Sequence, residues 1–502
     1  MSYTHLLKTI TSLGAPKALL VGDFMLDSYT YGDALRISPE APVQVLKVVR
    51  REYCGGGASS VAADMLTLGA RCACVGVLGS DLNGDRLLTL LEKMGAQTDG
   101  LLRLESRPTI CKERIIGLAQ HRHRQQLLRV DEECTDPLSG DEYERLLAVF
   151  QKHLADSDVV CLQDYNKGVL QADFCQSLIQ RARKAGKPVL VDPPLGQDYS
   201  KFSGATLMTP NRNETSLAVG FAVKSIADAE RASEVLRNTL SLEAAVITLD
   251  KEGAYLRTAE FAEHLPTVAR TVYDVTGAGD MMLAMMAVAM AAGADLRTSL
   301  QLANIAGGLE VEKFGVATVS VEEIVNELLY RHRGKAGKIR TIETLQSELD
   351  YHRKQNETIV FTNGCFDVLH RGHIEYLQFC KRHGDVVVVG LNSDTSVRQL
   401  KGPKRPINTQ QDRAAILAML ECVDYVVVFE EPDPLNLVMA VHPDVLVKGQ
   451  DWAEKGVIGR EFVESYGGRV ELSPLVEGKS STLTIEKLNG SSPSDNMEAD
   501  KP

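Results

Sequence analysis

At 502 residues, 44% of them hydrophobic and 24% charged, the chain has the composition of a globular protein with two or three folding units, not of a disordered or fibrous one. Its 67 acidic and 55 basic residues give a formal charge of −12, a field that repels nucleic acid and anionic membrane and leaves small anionic ligands to local donors. The ten cysteines are scattered, and the one close pair, Cys72 and Cys74, matches neither a zinc knuckle nor a redox CxxC, so reduced thiols in a cytoplasmic protein are expected.

Residues 1–13 lack the basic start, apolar run and small-residue cleavage site of a secretory signal. Apolar runs at 18–23, 74–79, 159–162, 188–192, 206–208 and 245–249 read as strands, with helical patterns at 57–68 and 85–94. Continuous Val/Ile/Leu runs separated by helices predict a parallel sheet covered on both faces. Two extended, partly polar stretches, 41–49 and 109–130, break this rhythm and predict an antiparallel flap outside the main sheet. The longest apolar stretch, 281–294, is about fourteen residues, too short to cross a bilayer, and predicts a buried helix.

A helical pattern at 321–330 gives way to a basic, glycine-containing run at 331–338, read as a solvated linker in preference to a nucleic-acid patch. After a connecting helix at 342–354, a second α/β series follows: strand 358–362, helix 372–382, strand 385–390, helix 409–420, and strands 425–429 and 445–447. The Ser/Pro/Asp-rich end, 490–502, reads as a frayed tail. The expected division is therefore a first domain over 1–333, a linker and connecting helix over 334–357, a second domain over 358–489, and a disordered tail over 490–502.

Two motifs carry chemistry. In Thr276-Gly277-Ala278-Gly279-Asp280 the glycines allow close backbone approach, and the N–H groups opening the following helix form an anion pocket strengthened by the helix dipole. Asp280 can then take a proton from an acceptor hydroxyl, the requirement for phosphorylating an alcohol. Alone, the motif would sooner be read as a helix cap. Four other features agree with the chemical reading: Gly55-Gly56-Gly57 before a helix, able to lie against a sugar; Asn211-Arg212-Asn213-Glu214 after a strand, placed for ATP phosphates and a hydrated Mg²⁺ on Glu214; Asp23 and Asp27 after the first strand, suited to sugar hydroxyls; and Gly253 at the end of a later strand, on the expected nucleotide side.

The second motif, Gly364-Cys365-Phe366-Asp367-Val368-Leu369-His370-Arg371-Gly372-His373, follows a strand and opens a helix. Attack of a phosphate on the α-phosphorus of a nucleoside triphosphate needs positioning and charge stabilisation more than acid–base work. The two imidazoles at a helix N-terminus, with Gly372 admitting phosphate, suit that task. Zinc ligation and an ordinary histidine pair are the alternatives, and no third ligand with suitable spacing is near.

Residues from about 15 to 320 resemble the ribokinase-like carbohydrate kinases through the GAGD and Asn-x-x-Glu motifs. Arg36-Ile37-Ser38-Pro39-Glu40-Ala41-Pro42-Val43 and Gln125-Gln126-Leu127-Leu128-Arg129-Val130-Asp131 narrow the resemblance to the heptose 7-phosphate kinases. This implies Asp280 as base, Gly277, Ala278 and Gly279 as anion hole, and a sugar-covering β-flap that in that family often mediates dimerisation. It also implies Lys112 and Arg114, with Arg122, Arg124 and Arg129, as candidates for the substrate's 7-phosphate. The chain departs from the family at Ser60, where Asn is usual, and at Pro194, where Asp-Pro-Lys is common.

Residues from about 358 to 489 resemble the cytidylyltransferase-like nucleotidyltransferases. The resemblance implies that His370 and His373 stabilise the transition state. It also implies a nucleotide site built from Asn363, Gly364, Cys365, Phe366, Asp394, Lys401, Arg405, Arg413, Lys448 and Gly449, with Ser480, Ser481 and Thr482 of a late Ser/Thr motif. The expected fold class is thus α/β: a ribokinase-like sheet with a β-flap, then a smaller Rossmann-like nucleotidyltransferase domain. Kinase followed by nucleotidyltransferase resembles the bifunctional enzymes of ADP-heptose synthesis. That resemblance implies ATP with Mg²⁺ and sugar phosphates as small-molecule partners, and a cytoplasmic homodimer. The same two chemistries on a different sugar phosphate, or a kinase joined to a cytidylyltransferase, stay open.

Overall fold

The computed structural model describes residues 3–118, 125–267, 277–313 and 317–474. Thr276, Arg122, Arg124, Ser480, Ser481, Thr482 and the expected tail lie outside the described residues. The chain divides into two compact units, Met1–Glu327 and Leu328–Pro502.

In the first unit the strands are β1 (Lys17–Gly22), β2 (Phe24–Ile37), β3 (Gln44–Gly57), β4 (Arg71–Gly79), β5 (Gln97–Leu104), β6 (Ile110–Gly117), β7 (Gln125–Glu132), β8 (Val159–Gln163), β9 (Val189–Asp192), β10 (Leu207–Met208), β11 (Ala244–Thr248), β12 (Ala254–Arg257) and β13 (Ala262–Leu265). Nine of them form one sheet in the order β13-β12-β11-β10-β9-β8-β1-β4-β5. It is parallel from β11 to β5, and only β12 and β13 run antiparallel at the edge. Alternate residues Leu19, Val21, Val75, Val77, Val160, Leu162, Val189 and Val191 share a buried cluster with Leu146, Phe150 and Leu154 and with Phe174, Leu178 and Ala182, from the helices Gly140–Leu154 and Ala172–Lys184. The helices Ala58–Thr67 and Ala278–Ala291 also pack against β1 yet contribute nothing to that cluster, so the sheet is covered on both faces. The inner strands β1, β4, β8, β9 and β11 are buried along nearly their whole length, which is why they read as unbroken hydrophobic runs.

The flap is a second sheet in the order β3-β2-β6-β7. It is mixed, and this corrects the antiparallel expectation: β2 pairs antiparallel with β3 and β6 with β7, but β2 and β6 run parallel. Parallel pairing follows because β6 does not return directly from β2 or β3; β4, β5 and two helices intervene.

The second unit holds β14 (Ile359–Gly364), β15 (Val386–Asn392), β16 (Tyr425–Phe429), β17 (Val445–Gly449) and β18 (Arg469–Ser473), all parallel in the order β16-β15-β14-β17-β18. Strand order reverses at β14, which opens the crevice at the carboxyl ends of β14 and β17 where open α/β sheets bind ligands. Two expectations around the junction change. The helix begun at Val321 continues to Ala336, through most of the basic run read as linker. The helix Ile342–Lys354 is no free connector: Leu345 and Leu349 lie in one buried cluster with Ile359, Phe361 and Leu446.

Candidate active sites

In the first unit the C-terminal ends of β1, β8 and β9 and the N-terminus of the helix Ala278–Ala291 meet at a group of carboxylates. Gly277 caps that helix with φ 97°, a conformation that favours glycine, and a Cβ there would lie 2.4 Å from Glu310 Oε1. Asp280, one turn into the helix, is buried. Its Oδ1 accepts hydrogen bonds from Gln163 Nε2 at 2.9 Å and Tyr165 Oη at 3.3 Å. Burial first, and then Asp192, push its pKa up to about 8, while hydrogen bonds from Tyr165 and Ser60 oppose the shift. Gln163 Nε2 also donates to Asp192 Oδ2 at 2.9 Å, so one amide ties two acids together. Asp192 is raised to about 6, chiefly by burial.

Asp23 is buried, with Oδ2 accepting the N–H groups of Tyr165 at 2.8 Å and Lys167 at 3.1 Å, and its pKa is raised to about 6 by burial and then by Asp164. Strand pairing sets Met25 opposite Gly56 and Phe24 opposite Gly57. A Cβ at Gly56 would lie 2.9 Å from Asp27 Cγ, so the glycine leaves room for that carboxylate. Gly57, at φ 55°, would bring a Cβ within 2.8 Å of the Asp23 carbonyl oxygen. In register across β2 and β6, Asp27 faces Lys112 and Tyr29 faces Arg114. Arg114 Nη1 pairs with Asp27 Oδ1 at 3.0 Å, and Lys112 Nζ lies 5.1 Å from the centre of the Tyr165 ring. Through Tyr165 the flap therefore touches the surroundings of Asp280.

Asn211 and Glu214 form a reciprocal capping box. The Asn211 side chain accepts from the N–H groups of Asn213 and Glu214, and Glu214 Oε2 accepts the Asn211 N–H at 2.7 Å. Glu214 is nonetheless pushed up to about 7, by burial and then by Asp192, so it belongs electrostatically to the same acidic group. Arg212 points elsewhere: its guanidinium holds Asp250, Glu252 and the carbonyls of Val223 and Leu249. Gly253, at φ 92°, makes the turn into β12, where a Cβ would lie 2.2 Å from the Leu265 carbonyl oxygen. Gln163 and Tyr165 were not among the sequence candidates. The signal available was position, since they stand at and just beyond the carboxyl end of a buried strand.

In the second unit, His370 caps the helix Arg371–Arg382 and His373 lies in its first turn, their rings stacked with centres 3.9 Å apart. Burial and then His370 lower the His373 pKa to about 4, so this imidazole is neutral near pH 7. Beside them, Phe366 takes φ 44° and lies 5.4 Å from the His373 ring. Lys448 Nζ, from β17, donates to Asn363 Oδ1 of β14 at 2.5 Å across the crevice and lies 5.1 Å from the Trp452 ring, with its pKa lowered by burial to about 8. Gly364 and Gly449 end the two strands.

Two expected nucleotide contacts are engaged by the protein itself. Arg413 is fully buried, donating to the carbonyls of Cys365, Asn392 and Asn408 and to Asp394 Oδ1. Arg405 bonds Asp367, whose other oxygen accepts the N–H groups of Ile407 and Asn408 and so fixes the loop that follows Lys401. Cys365 Sγ reaches Asn392 Oδ1 at 4.0 Å, and Lys401 ends a helix on the surface. Among the described residues no three His, Cys, Asp or Glu side chains form a metal-binding group, and no helix is long and apolar enough to cross a membrane.

A kinase-like acid and anion turn in one unit and a histidine pair at a Rossmann-type crevice in the other define a two-activity transferase. Residues 15–324 match the pfkB family of carbohydrate kinases, and residues 361–478 match the cytidylyltransferase-like family. The chain is 45% identical over 473 residues to the bifunctional protein HldE of Trichlorobacter lovleyi, covering 94% of this chain and 95% of that one. It is 46% identical over 477 residues to the bifunctional protein HldE of Geobacter sulfurreducens, covering 95% and 96%. It belongs to the HldE family of bifunctional enzymes, carbohydrate kinase and nucleotidyltransferase in one polypeptide. Two solved structures share the first unit's fold: phosphofructokinase-2 of Escherichia coli (TM-score 0.53, 19% identity, 63% of this chain and 99% of that one) and ribokinase of Arabidopsis thaliana (TM-score 0.50, 20% identity, 62% and 99%).

Proposed function

We propose that the first unit transfers the γ-phosphoryl group of ATP to the anomeric hydroxyl of D-glycero-β-D-manno-heptose 7-phosphate. We propose further that the second joins heptose 1-phosphate to the adenylyl group of a second ATP, releasing pyrophosphate and giving ADP-heptose. A separate phosphatase removes the 7-phosphate between the steps. The observation that carries the reading is the approach of the flap's Lys112 to Tyr165, whose hydroxyl bonds Asp280: an anion-seeking cation over the face of one phenol ring and a proton acceptor at its hydroxyl.

In the first reaction Asp280 takes the proton of the attacking hydroxyl, and the N–H groups of Gly277, Ala278 and Gly279 receive charge on the transferring group. Asp23, Asp27, Gly56 and Gly57 line the sugar side; Asn211, Asn213 and Gly253 lie on the nucleotide side. The acidic group suits Mg·ATP, because Asp192, Glu214 and Asp280 resist ionising together and a divalent cation relieves that repulsion. Glu214 has one carboxylate oxygen outside its capping bond and would hold the ion through water.

In the second reaction His370 and His373 donate to the α-phosphate as charge develops, with Lys448 and Lys401 beside the crevice. Arg413, Arg405 and Asp394 hold the loops that shape the pocket. Exposed Ile37, Val43, Val48, Val49, Leu128 and Val130 on the flap support a homodimer through that sheet, in the cytoplasm. Incubation with heptose 7-phosphate and Mg·ATP should yield heptose 1,7-bisphosphate, and adding a 7-phosphatase should yield ADP-heptose and pyrophosphate. Absence of the bisphosphate would reject the kinase assignment.

A further inference from the structure

We infer that Lys167 is a ligand of the acceptor sugar's terminal phosphate and that Glu133 holds its ammonium group until that phosphate arrives. The inference rests on the kinase reading above and names a residue which that reading does not include.

Lys167 belongs to the segment that follows β8, and this segment is built rigidly. Asn166 takes φ 56° and Gly168 φ 89°, and a Cβ on Gly168 would lie 2.1 Å from the Asp136 carbonyl oxygen. Asp23 accepts the Tyr165 and Lys167 N–H groups, Arg107 donates to the Lys167 carbonyl at 2.6 Å, and Tyr143 Oη donates to the Gly168 carbonyl at 3.0 Å. The same pinned turn that sends Tyr165 to Asp280 and under Lys112 thus also fixes where Lys167 starts. Its Nζ pairs with Glu133 Oε2 at 2.6 Å, with both side chains partly shielded. Glu133 lies in the irregular stretch between β7 and the helix Gly140–Leu154, so it can yield without disturbing a strand.

Of the four cations on this side of Tyr165, one has no ion-pair partner. Arg114 has Asp27, Arg129 has Asp131 and Lys167 has Glu133, but Lys112 makes no ion pair among the described residues. Burial lowers the Lys112 pKa, and Arg114, Lys167 and Arg129 lower it further, against the pull of Asp27. A dianionic phosphate between Lys112 and Lys167 supplies that partner, and it does so one phenol ring away from the base that receives the sugar's reacting hydroxyl.

The test is steady-state kinetics of the full chain at saturating Mg·ATP, with heptose 7-phosphate and with heptose lacking the phosphate. Lys167→Met should raise KM for heptose 7-phosphate by ~10-fold or more. It should leave kcat, KM for ATP and kcat/KM for the unphosphorylated sugar within about twofold. Lys167→Arg should recover most of the loss, and Glu133→Gln should lower KM for the phosphorylated sugar. An unchanged KM for heptose 7-phosphate in Lys167→Met, or equal losses with both sugars, would overturn the inference. Failure of the wild-type chain to phosphorylate heptose 7-phosphate would instead sink the kinase reading on which it rests.

Discussion

Asp23, Asp192, Glu214 and Asp280 all carry pKa values pushed up to between about 6 and about 8, by burial first and by neighbouring acids after it. For Asp280 the sign of the linkage is set by a folded value near 8 against an unfolded value near 3.8: the native state binds more protons in that window, so stability falls as pH rises through it. Asp280→Asn removes this dependence. The difference in stability between variant and wild type should therefore grow in the variant's favour from pH 5 to pH 8, by on the order of 2–4 kcal/mol, read as the melting of the first unit by calorimetry. A constant difference across that range would show that Asp280 is not held protonated. Asp280 and Gly277 were legible because motif, glycine and helix start are contiguous. Gln163 and Tyr165 were not, because their bonds to Asp280 span more than a hundred residues of chain. Ser60, noted only as a departure from a family pattern, has a physical role in this chain: beside the Asp280 carboxylate it favours the ionised form.

Among the elements, the helix Ala278–Ala291 was the most readable, since a run apolar on every face is a buried helix, and its residues from Asp280 to Ala289 are indeed buried. β2 was the least readable. Asp27, Ser28, Thr30 and Asp33 interrupt its apolar residues, and its parallel partner β6 lies far along the chain, a pairing no local pattern encodes. The helix Ile342–Lys354 looked like a connector because it stands between the basic run and the second strand–helix series, yet it is held by a fully buried ion pair between Arg340 Nε and Glu348 Oε1 at 2.7 Å. His352 adds a bond to the buried Tyr425 hydroxyl at 2.8 Å. Arg340→Ala leaves Glu348 buried without its partner and should destabilise the second unit by roughly 3–5 kcal/mol. Trp452 is the chain's single tryptophan and packs on that unit's core, so denaturant unfolding followed by its fluorescence reads the change directly. An unchanged midpoint would mean the helix is not part of the second unit's cooperative core.

At the scale of the whole molecule, the division into two units places two phosphate chemistries in separate cores, with Asp280 in one and His370 and His373 in the other. The order of units and the two fold types were legible in the sequence, because each carries a compact motif beside its own strand–helix series. The junction was not, because a basic glycine-containing run is compatible with either a linker or a continuing helix, and here it continues. The most direct measurement of the two-site account is the paired assay of Asp280→Ala and His373→Ala in the full chain, both confirmed folded, each supplied separately with heptose 7-phosphate and with heptose 1-phosphate in the presence of Mg·ATP. Asp280→Ala should abolish formation of heptose 1,7-bisphosphate and retain that of ADP-heptose, and His373→Ala should do the reverse; loss of both products in either folded variant would contradict the account.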